Sequence, residues 1–325
     1  MKRFLWICGH MMFLAGMCGG LPETSIRIQA QDNDGNAVSN ALVCCGFESG
    51  GSHAEVFYGY TDGRGEFFSP RRNAYHLFYH VVKDGYYGWY EGIRVLEEEG
   101  VVDNGVVNPA RLERTPVLRS IRNSQPMNVV KMDYPGGFVI PVHDRWVGFD
   151  LMKSSWCPPY GHGDHEDILL RFRKRNTGSH FDFTYGMDIC FTNNPHAGFY
   201  VLKKGAHSEL ETVYEADPSQ KFTHSESFVR EMFADGTRRF RFLSRDSYCV
   251  FRTRTKVDAD GRLVSAHYGV INGEWSCGRS EMSMGKSWLN PTPNDTNLEC
   301  AEIARRSQRT KRELYERKER AIPRR

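Results

Sequence analysis

The sequence predicts an all-β protein: two antiparallel β-sandwich domains followed by a short charged C-terminal helix. Three observations carry that prediction. Apolar and polar residues alternate over many short stretches, such as Ser25-Ile-Arg-Ile-Gln-Ala-Gln31, the period of a strand with one buried face. Clusters of turn-forming residues, such as Asp32-Asn-Asp-Gly-Asn36 and Asp258-Ala-Asp-Gly-Arg262, separate those stretches. Text that reads clearly as helix is confined to the end, where residues 298–320 hold no Gly or Pro and are rich in Glu, Arg and Ala.

Taken in order, residues 1–20 read as an export signal. Lys2-Arg3 gives the positive start, Phe4 to Met17 a mostly apolar run, and Cys18-Gly-Gly20 the small residues a signal peptidase selects. Cleavage near Gly20 fits better than lipidation at Cys18, because Met17 occupies a slot that takes a small residue. The apolar run is too short for a comfortable membrane span, and nothing downstream supplies a transmembrane segment. The expected location is therefore secreted, or periplasmic and cell-envelope.

Residues 21–119 form the first expected sandwich. Its strands are Ser25–Gln31, Ala41–Phe47, a stretch ending at Phe68 with Asp62-Gly63 as a hairpin turn, Tyr75–Val82 and Trp89–Val95. Pro109, Pro116 and Pro126 rule out a long helix after them, and Val117–Ile121 reads as a closing strand. Residues 120–299 form the second sandwich, jelly-roll-like in its many short strands. These are Trp146–Leu151, Asp167–Phe172, Phe181–Tyr185, Phe199–Leu202, Arg239–Leu243, Tyr248–Arg254 and Leu263–Tyr268. Only Ser225–Phe233 offers a helix or turn between them. Residues 300–325 form a basic helical tail with too few apolar residues for a wide buried stripe, expected to face solvent.

Charge is unevenly spread. The chain carries 43 Lys and Arg against 40 Asp and Glu, but residues 301–325 alone hold ten basic and four acidic residues. With Lys2 and Arg3 set aside, the body has 31 basic against 36 acidic residues. An acidic body with a basic tail does not describe a nucleic-acid binder, whose cations line the folded surface. The tail suits at most a weak, salt-screened contact with an anionic surface.

Seven cysteines follow the signal: Cys44, Cys45, Cys157, Cys190, Cys249, Cys277 and Cys300. Seven is odd, so at least one is unpaired within the chain, and no CxxC spacing suggests zinc. Cys44 and Cys45 must point to opposite faces of one strand.

Two groups of residues are candidate sites. His162-Gly-Asp-His-Glu-Asp167 concentrates imidazoles and carboxylates, so His162, Asp164, His165 and Asp167 are the candidate metal ligands, with His143, Asp144, His180 and His196 as remote helpers. The plain alternative is a hydrated turn. No motif requires a cofactor; were a metal present, Ca stapling the loop fits better than catalytic Zn. Gly85-Tyr-Tyr-Gly-Trp-Tyr90 makes Tyr86, Tyr87, Trp89 and Tyr90 candidate ligand-binding residues, since aromatic faces stack on sugar rings. The plain alternative is that alternate rings fill the core. Cys157 near His162 is the one imaginable nucleophilic pair, and no Gly-x-Ser-x-Gly elbow or phosphate loop is present.

Residues 25–87 resemble the carboxypeptidase regulatory-like domain, a transthyretin-like sandwich. The resemblance lies in Asp34-Gly35, Ala41-Leu-Val43, Tyr60-Thr-Asp-Gly-Arg-Gly-Glu-Phe67 and Lys83-Asp-Gly-Tyr-Tyr87. Residues 117–299 are similar to the C-terminal region of a family of uncharacterised exported bacterial proteins that carry this module. That similarity rests on Val117-Leu-Arg-Ser-Ile-Arg-Asn-Ser-Gln-Pro-Met127, Val147-Gly-Phe-Asp-Leu151, Cys157-Pro-Pro-Tyr-Gly161, Val264-Ser-Ala-His-Tyr-Gly269 and Leu289-Asn-Pro-Thr-Pro-Asn-Asp-Thr-Asn-Leu-Glu299. The resemblance implies an accessory fold and export, and brings no catalytic residue with it. The expectation is an exported, non-catalytic binding or structural protein of the bacterial cell envelope, with glycan or a partner protein as ligand. The competing expectation is a metal-dependent hydrolase of envelope polymers acting through the His162–Asp167 loop.

Overall fold

A computed structural model describes residues 20–321 of the chain except 52, 133–137, 177–181, 192–194, 242 and 274. The signal and lipidation readings on residues 1–19 lie outside the described residues. Strands dominate, and among the described residues Ala301–Ala321 is the single α-helix. No described helix is long and apolar enough to cross a membrane. The chain divides into two units. Of the described residues, the first comprises those up to Ile121, His207–Leu210 and those from Ala304 onward; the second comprises those in Arg122–Ala206 and Glu211–Ile303.

In the first unit two sheets face each other. One places Glu23–Gln29 between Ala110–Arg114 and Glu66–Phe68, with Arg72–Asn73 also paired to it. The other runs Glu55–Tyr60, Leu42–Glu48, His76–Val82, Trp89–Arg94, antiparallel throughout. Strand parity decides what is buried: Ile26 and Ile28 from the first sheet meet Val43, Cys45, Phe47, Leu77, Tyr79 and Val81 from the second. Each such side chain contributes roughly 1.5–3 kcal/mol through removal from water.

The expected β-sandwich architecture is present, with one refinement and three corrections. Ala110–Arg114 pairs parallel to Glu23–Gln29, with Thr24 opposite Ala110, and Val117–Leu118 pairs parallel to Gln31–Asp32, so the sandwich is not purely antiparallel. The closing strand read over Val117–Ile121 shrinks to those two residues. Asp62-Gly63 does not make a hairpin. The turn closes on itself through Asp62 N–H to Glu66 O at 2.9 Å, but the strand before it joins one sheet and the strand after it the other. It is a corner between sheets.

The tail is the third correction. Its helix is docked rather than solvated: Ala304, Ser307 and Leu314 are buried. Leu314 packs with Leu42, Cys44 and Val82, flanked by Tyr58 and Tyr315, on the outer face of the second sheet. Gly88 N–H donates to Ser307 Oγ at 2.9 Å, Lys318 Nζ donates to the Tyr60 hydroxyl at 2.8 Å, and Lys311 pairs with Asp84. A narrow stripe suffices because the sheet supplies most of the apolar area. This also explains why six of the seven residues of Leu42–Glu48 are buried, one parity by the core and the other beneath the helix.

In the second unit two large sheets enclose one core, joined there by a small three-stranded sheet of Phe138–Val139, Glu281–Ser283 and Ser276–Cys277. A six-stranded antiparallel sheet runs Ser155–Trp156, Trp146–Asp150, Ile168–Asn176, Phe183–Phe191, Ser225–Met232, Arg238–Arg241. A five-stranded one runs Asn128–Met132, Gly285–Leu289, Leu263–Asn272, Ser247–Val257, Gly198–Lys203. Phe149, Leu170, Met187 and Phe228 from the first pack with Phe199, Cys249, Phe251 and Ile271 from the second. Ser225–Met232 is therefore a strand, not the expected helix or turn. Its polar composition hides the pattern, but it pairs along both edges, and tertiary pairing overrides weak local preference.

The seven described cysteines are all free, with Cys190 half-buried and the others buried. Cys45 belongs to the core of the first unit and Cys44 to the cluster under the helix, as opposite parity requires. Burial pushes the thiols up, to about 12 at Cys45 and Cys277.

Candidate functional site

The most organised polar cluster lies in the second unit, where the loop after strand Trp146–Asp150 returns to strand Ile168–Asn176. Asp150 ends the first strand and is buried. Its carboxylate accepts backbone N–H groups from Met152 (2.8 Å), Lys153 (2.9 Å), Asp164 (2.9 Å) and His165 (3.1 Å). Asp167 closes the loop, also buried, and accepts Leu151 N–H at 2.9 Å and Thr253 Oγ1–H at 3.1 Å. Arg254 forks between them: Nε donates to Asp167 at 2.8 Å, and Nη2 lies 2.9 Å from an oxygen of each carboxylate. Arg254 reaches this position through an irregularity in strand Ser247–Val257, where register shifts after Thr253 and its own φ is +51°.

Burial alone would raise the Asp150 carboxyl. The N–H groups of Lys153, His165 and Asp164, with the Arg254 charge, outweigh it and hold the group below its ordinary value. Arg254 is destabilised as a cation by burial, but Asp167 and Asp150 more than restore it. Beside the cluster is a pocket of about 480 Å³, lined by Cys157, Asp164, His165, Glu166, Asp167 and Arg254 among others.

The four candidate metal ligands do not converge. Asp167 is consumed by Arg254, Thr253 and Leu151, while Asp164 pairs with Lys153 at 2.7 Å. His162 Nδ1 lies 3.2 Å from Ser155 Oγ, and His165 is exposed and joins the network through its backbone. Of the remote helpers, His196 Nε2 sits 2.8 Å from Gly261 O, and His180 lies outside the described residues. Among the described residues no group of three or more His, Cys, Asp or Glu is placed to hold a metal ion.

Nor does Cys157 pair with His162. Its Sγ donates to His165 O at 3.3 Å. Burial, then the charges of Glu166, Asp150, Asp167 and Asp164, push the thiol up to about 11, so thiolate is scarce at neutral pH.

The aromatic run of the first unit is split by strand parity and by a cap on the sheet edge. Tyr87 is fully buried, and Tyr86 and Trp89 pack against the core. Trp89 Nε1 donates to the Tyr79 hydroxyl at 3.2 Å, which in turn donates to Glu91 at 2.5 Å. Segment His207–Leu210 pairs with this edge: Tyr90 N–H donates to His207 O, and Glu209 N–H to Gly88 O, each at 2.9 Å. Tyr90 is the one ring of the four left exposed, and it packs against the His80 ring at a tilt of 42°, with centroids 4.6 Å apart. The four rings do not form one platform.

Sequence reading missed Arg254 and Asp150. Arg254 lies 87 residues from Asp167 and 104 from Asp150, so no local spacing could announce the trio.

No known protein-family profile matches the chain, and no curated protein sequence matches it. Among solved structures, the catechol 1,2-dioxygenase of Acinetobacter radioresistens aligns at 12% identity and TM-score 0.25, covering 32% of this chain and 53% of that one. The chain thus spans about half the length of that dioxygenase. The major pilin SpaD of Corynebacterium diphtheriae aligns at 9% identity and TM-score 0.25 over 86% of this chain and 84% of the pilin. A streptococcal ancillary pilin aligns at 11% identity and TM-score 0.21, over 85% and 60% of the two chains. Similarity at this level carries no functional argument.

Proposed function

We propose that the protein is a non-catalytic binding or structural protein of the bacterial cell envelope, with a glycan or a partner protein as its ligand. One observation carries the reading: in the most organised polar cluster among the described residues, the two buried carboxylates, the arginine and the thiol are already spent on structure. Asp150 and Asp167 accept donors on both oxygens, Arg254 is divided between them, and Cys157 stays protonated. A general base needs a free lone pair and a nucleophile needs its anion, and this cluster supplies neither. What it does supply is anchorage, tying a sixteen-residue loop to two strands. The export-signal pattern of residues 2–20 and the resemblance of residues 25–87 to an accessory module support the envelope setting.

Elemental analysis of purified protein, with turnover assays on cell-wall polymers, tests it. The expected result is no stoichiometric metal and no turnover. A stoichiometric metal lost in the His162→Ala, His165→Ala double variant, with polymer cleavage lost alongside, would overturn it.

A further inference from the structure

Trp146 opens strand Trp146–Asp150 and is 44% exposed, the one tryptophan among the large apolar side chains that the described residues leave open. Trp275 and Trp288 are fully buried. An open tryptophan forfeits a large burial energy, so its setting is informative. Val147 and Phe149 lie in the core, so Trp146 projects from the outer face of the six-stranded sheet.

Register builds a row from it. Arg171 stands opposite Trp146, Asp188 opposite Arg171, and Ser227 opposite Asp188. At the usual spacing of neighbouring strands this row is about 14 Å long. Side-chain contacts tie the row together. The Arg171 guanidinium sits over one face of the Trp146 ring, its carbon 4.9 Å from the centroid, and its Nε donates to Asp188 Oδ2 at 2.9 Å. Arg173 Nη2 and Ser227 Oγ donate to Asp188 Oδ1 at 2.8 and 2.7 Å. Asp188 is buried, while the two arginine side chains remain 41% and 43% exposed, with nitrogens that Asp188 does not engage. Gly148, two residues along the same face, leaves room for Glu166: a Cβ there would lie 2.4 Å from Glu166 Cγ.

We infer that this row binds a pyranose ring of a neutral glycan, stacked on the face of Trp146 opposite Arg171. The inference rests on the binding-protein reading above and moves its seat from Tyr86–Tyr90 to the second unit. A pyranose has an apolar C–H face and a rim of hydroxyls that both donate and accept. A flat indole with free N–H groups of Arg171 and Arg173 alongside, and the exposed Glu166 carboxylate on the same face of the sheet, matches both features. Local charge selects neutrality: Arg171 and Arg173 are offset by Asp188 and Glu166, so a polyanion gains no net attraction. A protein partner's apolar anchor would need apolar neighbours, and those around Trp146 are charged.

The test is affinity electrophoresis of the full chain in gels containing β-glucan, xyloglucan, mannan or galactan, with heparin as the acidic comparator. The expected result is retardation by a neutral polysaccharide, with Kd raised at least tenfold in Trp146→Ala. Trp146→Phe keeps part of the affinity, Arg171→Ala loses part, and Tyr90→Ala behaves as wild type. Thermal melting of Trp146→Ala near the wild-type value separates lost binding from lost fold. Retardation unchanged in Trp146→Ala would overturn the site while leaving glycan binding standing. Retardation by heparin alone, or by no polysaccharide, would overturn the neutral-sugar assignment while leaving the protein-partner branch intact.

Discussion

Replacing Arg254 with Ala tests whether the Asp150–Asp167–Arg254 cluster is the clasp of the second unit. The change removes three charge-assisted hydrogen bonds, at 2.8, 2.9 and 2.9 Å, and leaves two buried carboxylates without their cation. Removing one partner of a buried ion pair costs about 3–5 kcal/mol. Six donors remain on the two carboxylates, four of them backbone N–H groups on Asp150, and Arg254 is itself partly exposed, so the lower end applies, about 3 kcal/mol. Alanine and arginine are similarly strained at a φ of +51°, so the comparison is not confounded by backbone relief. Lysine should not rescue, because an ammonium cannot fork between two carboxylates. The assay is urea unfolding followed by a reporter in the second unit, reading a lower midpoint at unchanged slope. Acid adds a second check. Asp150 titrates below its ordinary value when folded, so its contribution is present above ~pH 3.9 and is lost as pH falls through the lower folded value. The gap between wild type and variant should hold from pH 8 to about pH 5 and close below about pH 4. A loss under about 1 kcal/mol at neutral pH, or a gap that widens in acid, refutes the clasp.

Three further outcomes follow from the packing. Leu314→Ala should cost about 2 kcal/mol, the low end for a buried leucine at a rim, and speed amide exchange along Ala301–Ala321; a solvated tail would show neither. Gly46→Ala should destabilise the first unit by about 1–3 kcal/mol, because the added methyl meets the Phe78 ring at 2.2 Å, and Phe78→Leu should restore part of it. Native protein should react slowly with a thiol reagent, Cys190 first, and thermal unfolding should be the same with and without dithiothreitol; a melting temperature that falls on reduction would refute the free-thiol state.

The strands were legible where one face is buried and the other wet. Ser25–Gln31, Tyr75–Val82 and Trp146–Leu151 were readable to within about two residues, and the Asp258–Arg262 turn does join Ser247–Val257 to Leu263–Asn272 as a hairpin. Reading failed where a strand's partner lies far along the chain. Ala110–Arg114 alternates over only five residues, too short to announce itself, and is fixed by the edge that Glu23–Gln29 offers it, while Ser225–Met232 looks polar because only Phe228 is buried from it. The helix's partner sheet was invisible for the same reason. So was the fate of the His162–Asp167 loop, whose most chemical-looking carboxylate is claimed by an arginine 87 residues away.

Alternation and turn residues, read along the chain alone, determined that this is a β protein with a terminal helix, since side-chain parity is a local property of an extended backbone. Which sheet each strand joins, which aromatic stays in water and which carboxylate keeps a free lone pair were decided by tertiary structure. Those outcomes depend on what is brought opposite each residue from elsewhere in the chain, and spacing in sequence carries no record of it.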